Sequence, residues 1–211
     1  MKLFVNSINL DKAPNFFPYF LELMNTDTSH SAKPRMLVVH NAKDPQGKDK
    51  SLEMIKRDKI YGAFNVEYQR LDLLKDEKIR EKIHSADALY LGGGNAFYLL
   101  YSIIESGAFH IIKEEVSKGL VVGGSSAGAI VMSKSLKYFD IADDTGVVPK
   151  IYLEGLGLIE FVPLVHWGNH FFADSLKKIE AELIKDGTAS KRITDEEALI
   201  IEDGRTRLVR Q

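Results

Sequence analysis

The segment Gly119–Ser133 constrains the fold more than any other part of this chain. Residues 120–122, Leu-Val-Val, are apolar and typical of a buried parallel strand. The small residues Gly-Gly-Ser-Ser-Ala-Gly follow at once, and residues 129–132 are apolar enough to begin a buried helix. A strand that turns into a helix through Gly-x-Ser-x-Gly predicts a nucleophile elbow, which holds the Ser126 hydroxyl beside helix N-terminal amides. A Gly/Ser-rich turn of this kind can also bind phosphate, so the motif alone leaves two interpretations open.

Composition excludes several classes of protein. The length of 211 residues, without repeats or linkers, predicts one domain over residues 1–211. A net charge of −2 gives no basic surface for nucleic acid, and no apolar run approaches the ~20 residues of a membrane span. The N-terminus lacks the apolar region of a signal peptide, so we expect a cytoplasmic protein. Because the chain has no cysteine, disulfides and thiolate metal sites are excluded, and a nucleophile must be an oxygen or an amine.

Apolar runs alternate with amphipathic stretches along most of the chain. This order predicts an α/β fold with a mostly parallel central sheet covered by helices on both faces. A hairpin across Asp203–Gly204 is expected to close the chain. The other predicted strands are 2–5, 36–40, 64–71, 88–91, 120–122 and 162–167, and the predicted helices are 16–24, 51–61, 76–84, 96–105, 109–118, a helix after the elbow, and 173–186.

A reactive serine needs a base, and histidine is the usual one. His166 and His170 follow a late predicted strand, so they should lie at the same edge of the sheet as the elbow. His40 also ends a strand and stays an outside candidate. The remaining histidines are expected on the surface: His30, His84 and His110.

The turn Gly92–Asn95 also follows a strand at this edge of the sheet. Its glycines allow backbone N–H groups to approach a substrate, and the amide of Ala127 could be a second donor to an oxyanion. The alternative is a phosphate-binding turn, but Phe97 occupies the place of the third glycine in GxGxxG. A dinucleotide site is therefore disfavoured, and we predict no cofactor.

A carboxylate would be needed to orient the histidine. Asp140, Asp143 and Asp144 lie in the acidic loop between the elbow helix and the late strand, although such a loop can equally be a solvated surface. No group of His, Asp and Glu has the spacing of a metal site, so no metal is predicted.

Three motifs together resemble the family of peptidase E (α-aspartyl dipeptidase) and cyanophycinase. They occur in the family's order, and the resemblance extends from the first strand to residues 197–200. It implies a three-layer αβα fold similar to class I glutamine amidotransferases (flavodoxin-like), with serine as the nucleophile. The motifs are Gly92-Gly-Gly-Asn-Ala-Phe-x-Leu-Leu100, Gly124-Ser-Ser-Ala-Gly-Ala129, and Gly155-Leu-Gly-Leu158 leading to a histidine and an aromatic residue at a strand end.

The resemblance assigns roles to individual residues. It implies that Ser126 is the nucleophile and that His166, rather than His170, is the base, with Val165 in place of the family's proline. Spacing points to Asp144, with Asp143 as the alternate, for the acid. The implied oxyanion and substrate-binding residues are Gly93, Gly94, Asn95 and Ala127.

The leading hypothesis is a serine peptidase that cleaves small peptides through an acyl-enzyme. A preference for an N-terminal aspartate is implied by the resemblance alone and would need a cationic group in the pocket. The alternatives are a non-catalytic small-molecule-binding module, a phosphate- or nucleotide-binding protein, and a hydrolase of β-linked aspartyl peptides or polymer. A small peptide is the expected partner, and the fold is compatible with a homodimer.

Overall fold

The computed structural model describes residues 1–24, 33–47 and 58–211. Its centre is a seven-stranded sheet with the order β3-β2-β4-β5-β1-β8-β9. A separate two-stranded sheet is formed by β6 and β7. The strands are β1 Lys2–Asn6, β2 Arg35–Val39, β3 Glu67–Leu71, β4 Ala88–Leu91, β5 Val121–Ser125, β6 Val162–Leu164, β7 Ser190–Arg192, β8 Glu197–Glu202 and β9 Arg205–Arg210.

The central sheet is mostly parallel, as the alternation of strands and helices predicts. Strands β1 to β5 pair parallel to one another, and their carboxyl ends therefore lie at one edge of the sheet. Strands β8 and β9 add an antiparallel hairpin beside β1, which confirms the predicted closing hairpin.

Helices cover both faces of this sheet. Side chains alternate along β1: Leu3 and Val5 belong to one hydrophobic core, and Phe4 belongs to the core on the opposite face. The result is a three-layer α/β arrangement of the flavodoxin-like type, as expected. The α-helices with both ends in the described residues are α1 Phe17–Leu23, α2 Ile79–His84, α3 Ala96–Glu105, α4 Ala108–Lys118, α5 Ala127–Ile130 and α6 Ala173–Lys185.

The largest departure from the predicted elements concerns β6. It has three residues and pairs parallel with β7, away from the central sheet. Pro163 at its centre has no N–H to donate, which disfavours a place inside a large sheet.

Other departures are small. The strand predicted over 64–71 begins at Glu67, and the helix after the elbow has only four residues. His30 and most of the helix predicted over 51–61 lie outside the described residues. In the described part of the chain, no helix is both long and apolar enough to cross a membrane.

Candidate active site

Ser126 stands at the sharp turn between β5 and α5. Its φ of 50° and ψ of −116° lie in a region of backbone conformation that residues other than glycine rarely adopt, so contacts with the rest of the fold must hold the turn in place. The Ser126 N–H donates to the carbonyl of Asn6 at 3.1 Å, which ties the turn to β1. Gly128 is required behind it, because a Cβ there would lie 1.9 Å from the carbonyl oxygen of Leu91. The predicted elbow is therefore built by backbone contacts with two neighbouring strands.

His166 meets this serine from the loop that follows β6. Its Nε2 lies 3.1 Å from Ser126 Oγ. The His166 backbone has a φ of 60°, and its N–H donates to the buried Ser7 hydroxyl at 3.0 Å. Ser7 in turn donates to the carbonyl of Ile193 at 2.9 Å. The ring of Phe172 stacks on the imidazole with centroids 4.8 Å apart, so the histidine is fixed on several sides.

Asp195 completes a chain of three side chains. Its Oδ1 lies 2.6 Å from His166 Nδ1, and its Oδ2 accepts a 3.1 Å hydrogen bond from Asn169 Nδ2. The parallel register of β6 and β7 pairs Leu164 with Arg192, so the residues just after both strands emerge side by side. This pairing brings His166 and Asp195 together although 29 positions separate them.

The sequence predicted Asp144, or its alternate Asp143, as the acid that orients the histidine. In the structure the carboxylate on His166 belongs to Asp195 instead. Asp144 is exposed, and its carboxylate accepts the N–H of Gly146 at 2.8 Å. Asp143 Oδ2 accepts the N–H of Ala96 at 2.7 Å. Asp143 thus caps the start of α3 and Asp144 caps the short helix at Thr145–Val147, and neither carboxylate forms a hydrogen bond with His166.

The other candidate histidines lie elsewhere in the described structure. His170 is exposed and packs against Phe171, with ring centroids 3.9 Å apart. His40 lines a separate, smaller cavity near Asp44 and Asp72. Among the described residues, no group of three or more His, Asp or Glu side chains could hold a metal ion.

Among the described residues, three of the four N–H groups of the glycine turn Gly92–Asn95 have protein acceptors, and the exception is Gly94. The N–H of Gly93 donates to Asn9 Oδ1 at 2.9 Å, and that of Asn95 donates to the carbonyl of Ala42 at 2.8 Å. In the described part of the chain, the N–H groups of Gly94 and Ala127 donate to no protein acceptor. The oxyanion donors expected from the sequence are thus reduced to these two amides.

Gly93 and Asn95 contribute to the structure of the turn, because their N–H groups are already used within the protein. A Cβ at Gly93 would lie 3.0 Å from the Cβ of Ser126, so glycine is needed for the turn to approach the serine closely. The Asn95 side chain caps α3 by accepting the N–H of Tyr98 at 2.9 Å. Because these neighbouring amides have protein partners, the turn is poorly suited to cradle a phosphate.

A cavity of about 640 Å³ opens over Ser126 and His166. Lys12 and Lys43 lie in its wall and supply positive charge. Asp143 also lines it, and burial raises the pKa of this carboxyl above its usual range despite the hydrogen bond from Ala96. The cavity is of the size that holds small ligands, and it presents both signs of charge.

The sequence reasoning missed Asp195, Ser7, Asn9 and Asn169. The candidate acids that the sequence indicates all lie in the loop between the elbow helix and the histidine. The signal for Asp195 was its position after Ser-Lys-Arg-Ile-Thr, a polar segment too short to read as a strand. That segment contains β7, and only its pairing with β6 reveals where the aspartate lies.

Comparison with known proteins identifies the family. The model of peptidase family S51 matches residues 16–209. An uncharacterised peptidase of Listeria innocua is 31% identical over 148 residues, which cover 67% of this chain and 68% of that protein. A peptidase E of Nostoc is 30% identical over 111 residues, 53% of this chain and 44% of the relative. The match thus spans less than half the length of that peptidase E.

Solved structures show the same fold. A Listeria monocytogenes protein described as a candidate peptidase E superposes with a TM-score of 0.81 at 24% identity, covering 100% of this chain and 98% of its own. A peptidase from an acI-B1 actinobacterium gives 0.76 at 21% identity, covering 100% and 87%. The family model matches nearly the whole chain. The protein therefore belongs to peptidase family S51, and this membership supports a peptidase function.

Proposed function

We propose that this protein is a serine peptidase that hydrolyses small peptides through an acyl-enzyme on Ser126. The observation that carries the proposal is the continuous contact from Ser126 Oγ through the imidazole of His166 to the carboxylate of Asp195. A serine, a base and a group that orients the base are the three parts that acyl transfer by a hydroxyl requires.

Each group has a defined role in the proposed reaction. His166 Nε2 takes the hydroxyl proton as Ser126 Oγ attacks the peptide carbonyl carbon. Asp195 accepts the Nδ1–H, which fixes the tautomer and stabilises the imidazolium. The N–H groups of Gly94 and Ala127 would hold the oxyanion. His166 then protonates the leaving amine, and a water molecule, activated by the same base, hydrolyses the acyl-enzyme.

The cavity supports a small substrate and a preference for an acidic first residue. Its volume of about 640 Å³ suits a short peptide better than an extended chain. Lys12 and Lys43 in its wall are the cationic groups that such a preference requires. Hydrolysis of β-linked aspartyl peptides is a variant of the same chemistry, and a substrate screen separates the two linkages.

The first experiment is labelling with a fluorophosphonate probe, followed by mass mapping of the modified peptide. We expect label on Ser126, none in Ser126→Ala, and a sharp decrease in the rate of labelling in His166→Ala. His170→Ala is the matched control, because this exposed histidine is nearby in sequence and does not contact the serine. A screen of α- and β-linked aspartyl dipeptides and neutral dipeptides then defines the substrate.

Failure of the wild type to label would overturn the proposal, provided that a control serine hydrolase labels under the same conditions. The non-catalytic binding module would then be the better account of this cavity. Labelling that persists in His166→Ala and is lost in His170→Ala would still support a serine hydrolase, but with His170 as the base.

A further inference from the structure

Phe172 is an apolar side chain that belongs both to the cavity and to the surroundings of the proposed base. It lines the cavity over Ser126, and its ring stacks on the imidazole of His166 at an interplanar angle of 19°. The residue is nevertheless 38% exposed. One part of its surface is therefore covered by the imidazole, and another part remains open to a ligand in the cavity.

Other apolar side chains continue this surface. The N–H of Leu176 donates to the carbonyl of Phe172 at 2.9 Å, so the two residues lie one helical turn apart, and both line the cavity. Lys12 and Lys43 come from other segments, which follow β1 and β2. We define the apolar wall as the following lining residues of α5, α6 and the segments next to α6 and β6: Ile130, Phe139, Val165, Phe172 and Leu176.

The chemistry of acyl transfer places the leaving residue of a substrate beside His166. As the bond from Ser126 Oγ to the carbonyl carbon forms and the C–N bond breaks, the imidazole passes the hydroxyl proton to the departing nitrogen. Nε2 lies 3.1 Å from Oγ, and the departing nitrogen must come within hydrogen-bond reach of the same Nε2. The ring centroid of Phe172 is 4.8 Å from that of this imidazole, so the leaving residue faces Phe172.

We propose that the apolar wall is the subsite for the residue released from the substrate and that it selects an apolar side chain there. This inference rests on the proposed function and adds a substrate class to it. An apolar side chain would lose contact with water against Phe172 and Leu176, which favours binding. A polar side chain of the same shape would lose hydrogen bonds to water, and the side chains of the wall have no polar group to replace them.

Packing on the imidazole is the competing explanation of Phe172. A residue that only positions His166 affects every substrate alike, because all of them need the same proton transfer. The ratio of kcat/KM between two leaving residues would then be independent of Phe172. This ratio therefore separates a subsite from a purely positioning role.

The test uses dipeptides that differ only in the polarity of the leaving residue. Aspartyl-leucine is paired with aspartyl-asparagine, and alanyl-leucine with alanyl-asparagine, because leucine and asparagine side chains have nearly the same shape. We measure kcat/KM for each pair in the wild type, in Phe172→Ser and in Phe172→Leu. Serine suits this position, since Phe172 is the N-cap of α6. Phe171→Ser is the matched control, because Phe171 is 80% exposed and packs on His170 outside the cavity lining.

The wild type should favour the leucine member of a pair by about 10-fold, because the wall covers only part of the side chain. Phe172→Ser should lose most of this preference. Phe172→Leu should keep it even if both rates fall, and Phe171→Ser should keep it at unchanged rates.

A wild type that treats leucine and asparagine alike overturns the inference while leaving the hydrolase intact, and this result needs no variant to fold. A folded Phe172→Ser that retains the wild-type ratio overturns it as well and makes Phe172 a positioning residue only. A wild type that neither labels with the fluorophosphonate nor hydrolyses any of the four dipeptides overturns the proposed function itself.

Discussion

The fold treats two carboxylates of this site differently: Asp143 lines the cavity, whereas Asp195 contacts His166 and is not part of the cavity lining. Asp195 is held by His166 at 2.6 Å and by Asn169 at 3.1 Å, so both of its oxygens have protein partners. Asp143 has one backbone partner and no cation among the described residues. The protein thus fixes Asp195, the carboxylate next to the proposed base. Asp143 keeps one oxygen that accepts no hydrogen bond from the described residues.

The difference follows from how each segment is anchored. Asp195 comes just after β7, whose parallel pairing with β6 leaves little freedom in its position relative to His166. Asp143 lies in an irregular segment between the short helices at Phe139–Ile141 and Thr145–Val147, and its one hydrogen bond is to the N–H of Ala96 at the start of α3. We expect substitutions at Asp195 to lower kcat, and substitutions at Asp143 to change the pH dependence of stability.

The largest effect is expected at Asp195. In Asp195→Asn, the amide can donate to Nδ1 and favour the wrong tautomer of His166, so that Nε2 carries the proton and cannot act as a base. Loss of this function in a serine triad lowers kcat by about 10⁴-fold. Steady-state kinetics on the best dipeptide of the screen measure the effect.

Asp144→Asn is the control for that substitution. It removes a carboxylate from the acidic loop without touching His166, so kcat should stay within about twofold of the wild type, as for most surface changes. If Asp144→Asn abolished activity and Asp195→Asn did not, Asp144 and not Asp195 would be the acid of the site.

A smaller loss is expected at Asn9, which connects the glycine turn Gly92–Asn95 to the elbow. Asn9 Oδ1 accepts the N–H of Gly93 at 2.9 Å and the hydroxyl of Ser125 at 2.5 Å. Asn9→Ala removes both hydrogen bonds, so the turn that contains the Gly94 amide is held less firmly. Because losing one oxyanion donor costs about 10²- to 10³-fold in kcat, misplacing it should cost about 10- to 100-fold.

Asn9→Asp provides the matched comparison, since it retains an oxygen acceptor for both groups. Kinetics on the two variants should show a loss in kcat at nearly constant KM for Asn9→Ala and partial recovery for Asn9→Asp. Thermal unfolding is measured in parallel, because a buried N–H left without a partner costs about 1–3 kcal/mol. A loss of stability at unchanged kcat would make Asn9 a purely structural residue.

The sequence predicted most of the central sheet and the elbow because their signals are local. Buried strands such as β4 and β5 are continuous apolar runs, and Gly-x-Ser-x-Gly fixes the turn that contains Ser126. The carboxyl ends of parallel strands meet at one edge, so the glycine turn could also be placed near the serine. The sequence was therefore sufficient to predict that Ser126 and Gly94 lie at the same edge of the sheet.

The acid was not accessible in this way, because its position depends on pairing between distant segments. Strands β6 and β7 have three residues each, and β7 is Ser-Lys-Arg, which has no apolar periodicity to detect. Ser7 and Asn9 were missed for a related reason. They follow β1 immediately, and their partners lie in loops that only the folded sheet brings to that edge.

The smallest expected effect is on stability, and it tests whether Asp143 carries an uncompensated charge. The folded state raises the pKa of this carboxyl, so it binds the proton more tightly than the unfolded chain does. Between the ordinary pKa of about 3.9 and the raised value, the folded state holds more protons, and stability therefore falls as pH rises through this window. At neutral pH the full cost of ionising this half-buried carboxyl is present.

Asp143→Asn has no charge to bury, so it should unfold at a higher temperature than the wild type at pH 7, by about 1–3 °C for a chain of this size. The difference should shrink near pH 3, where the wild-type carboxyl is protonated in both states. Melting curves of both proteins across this range measure it, with Asp144→Asn as the exposed control. A difference that stays constant with pH would mean that the Asp143 charge is already compensated within the protein. The contrast between Asp143 and Asp195 would then lose its electrostatic basis, even if Asp195 proved essential.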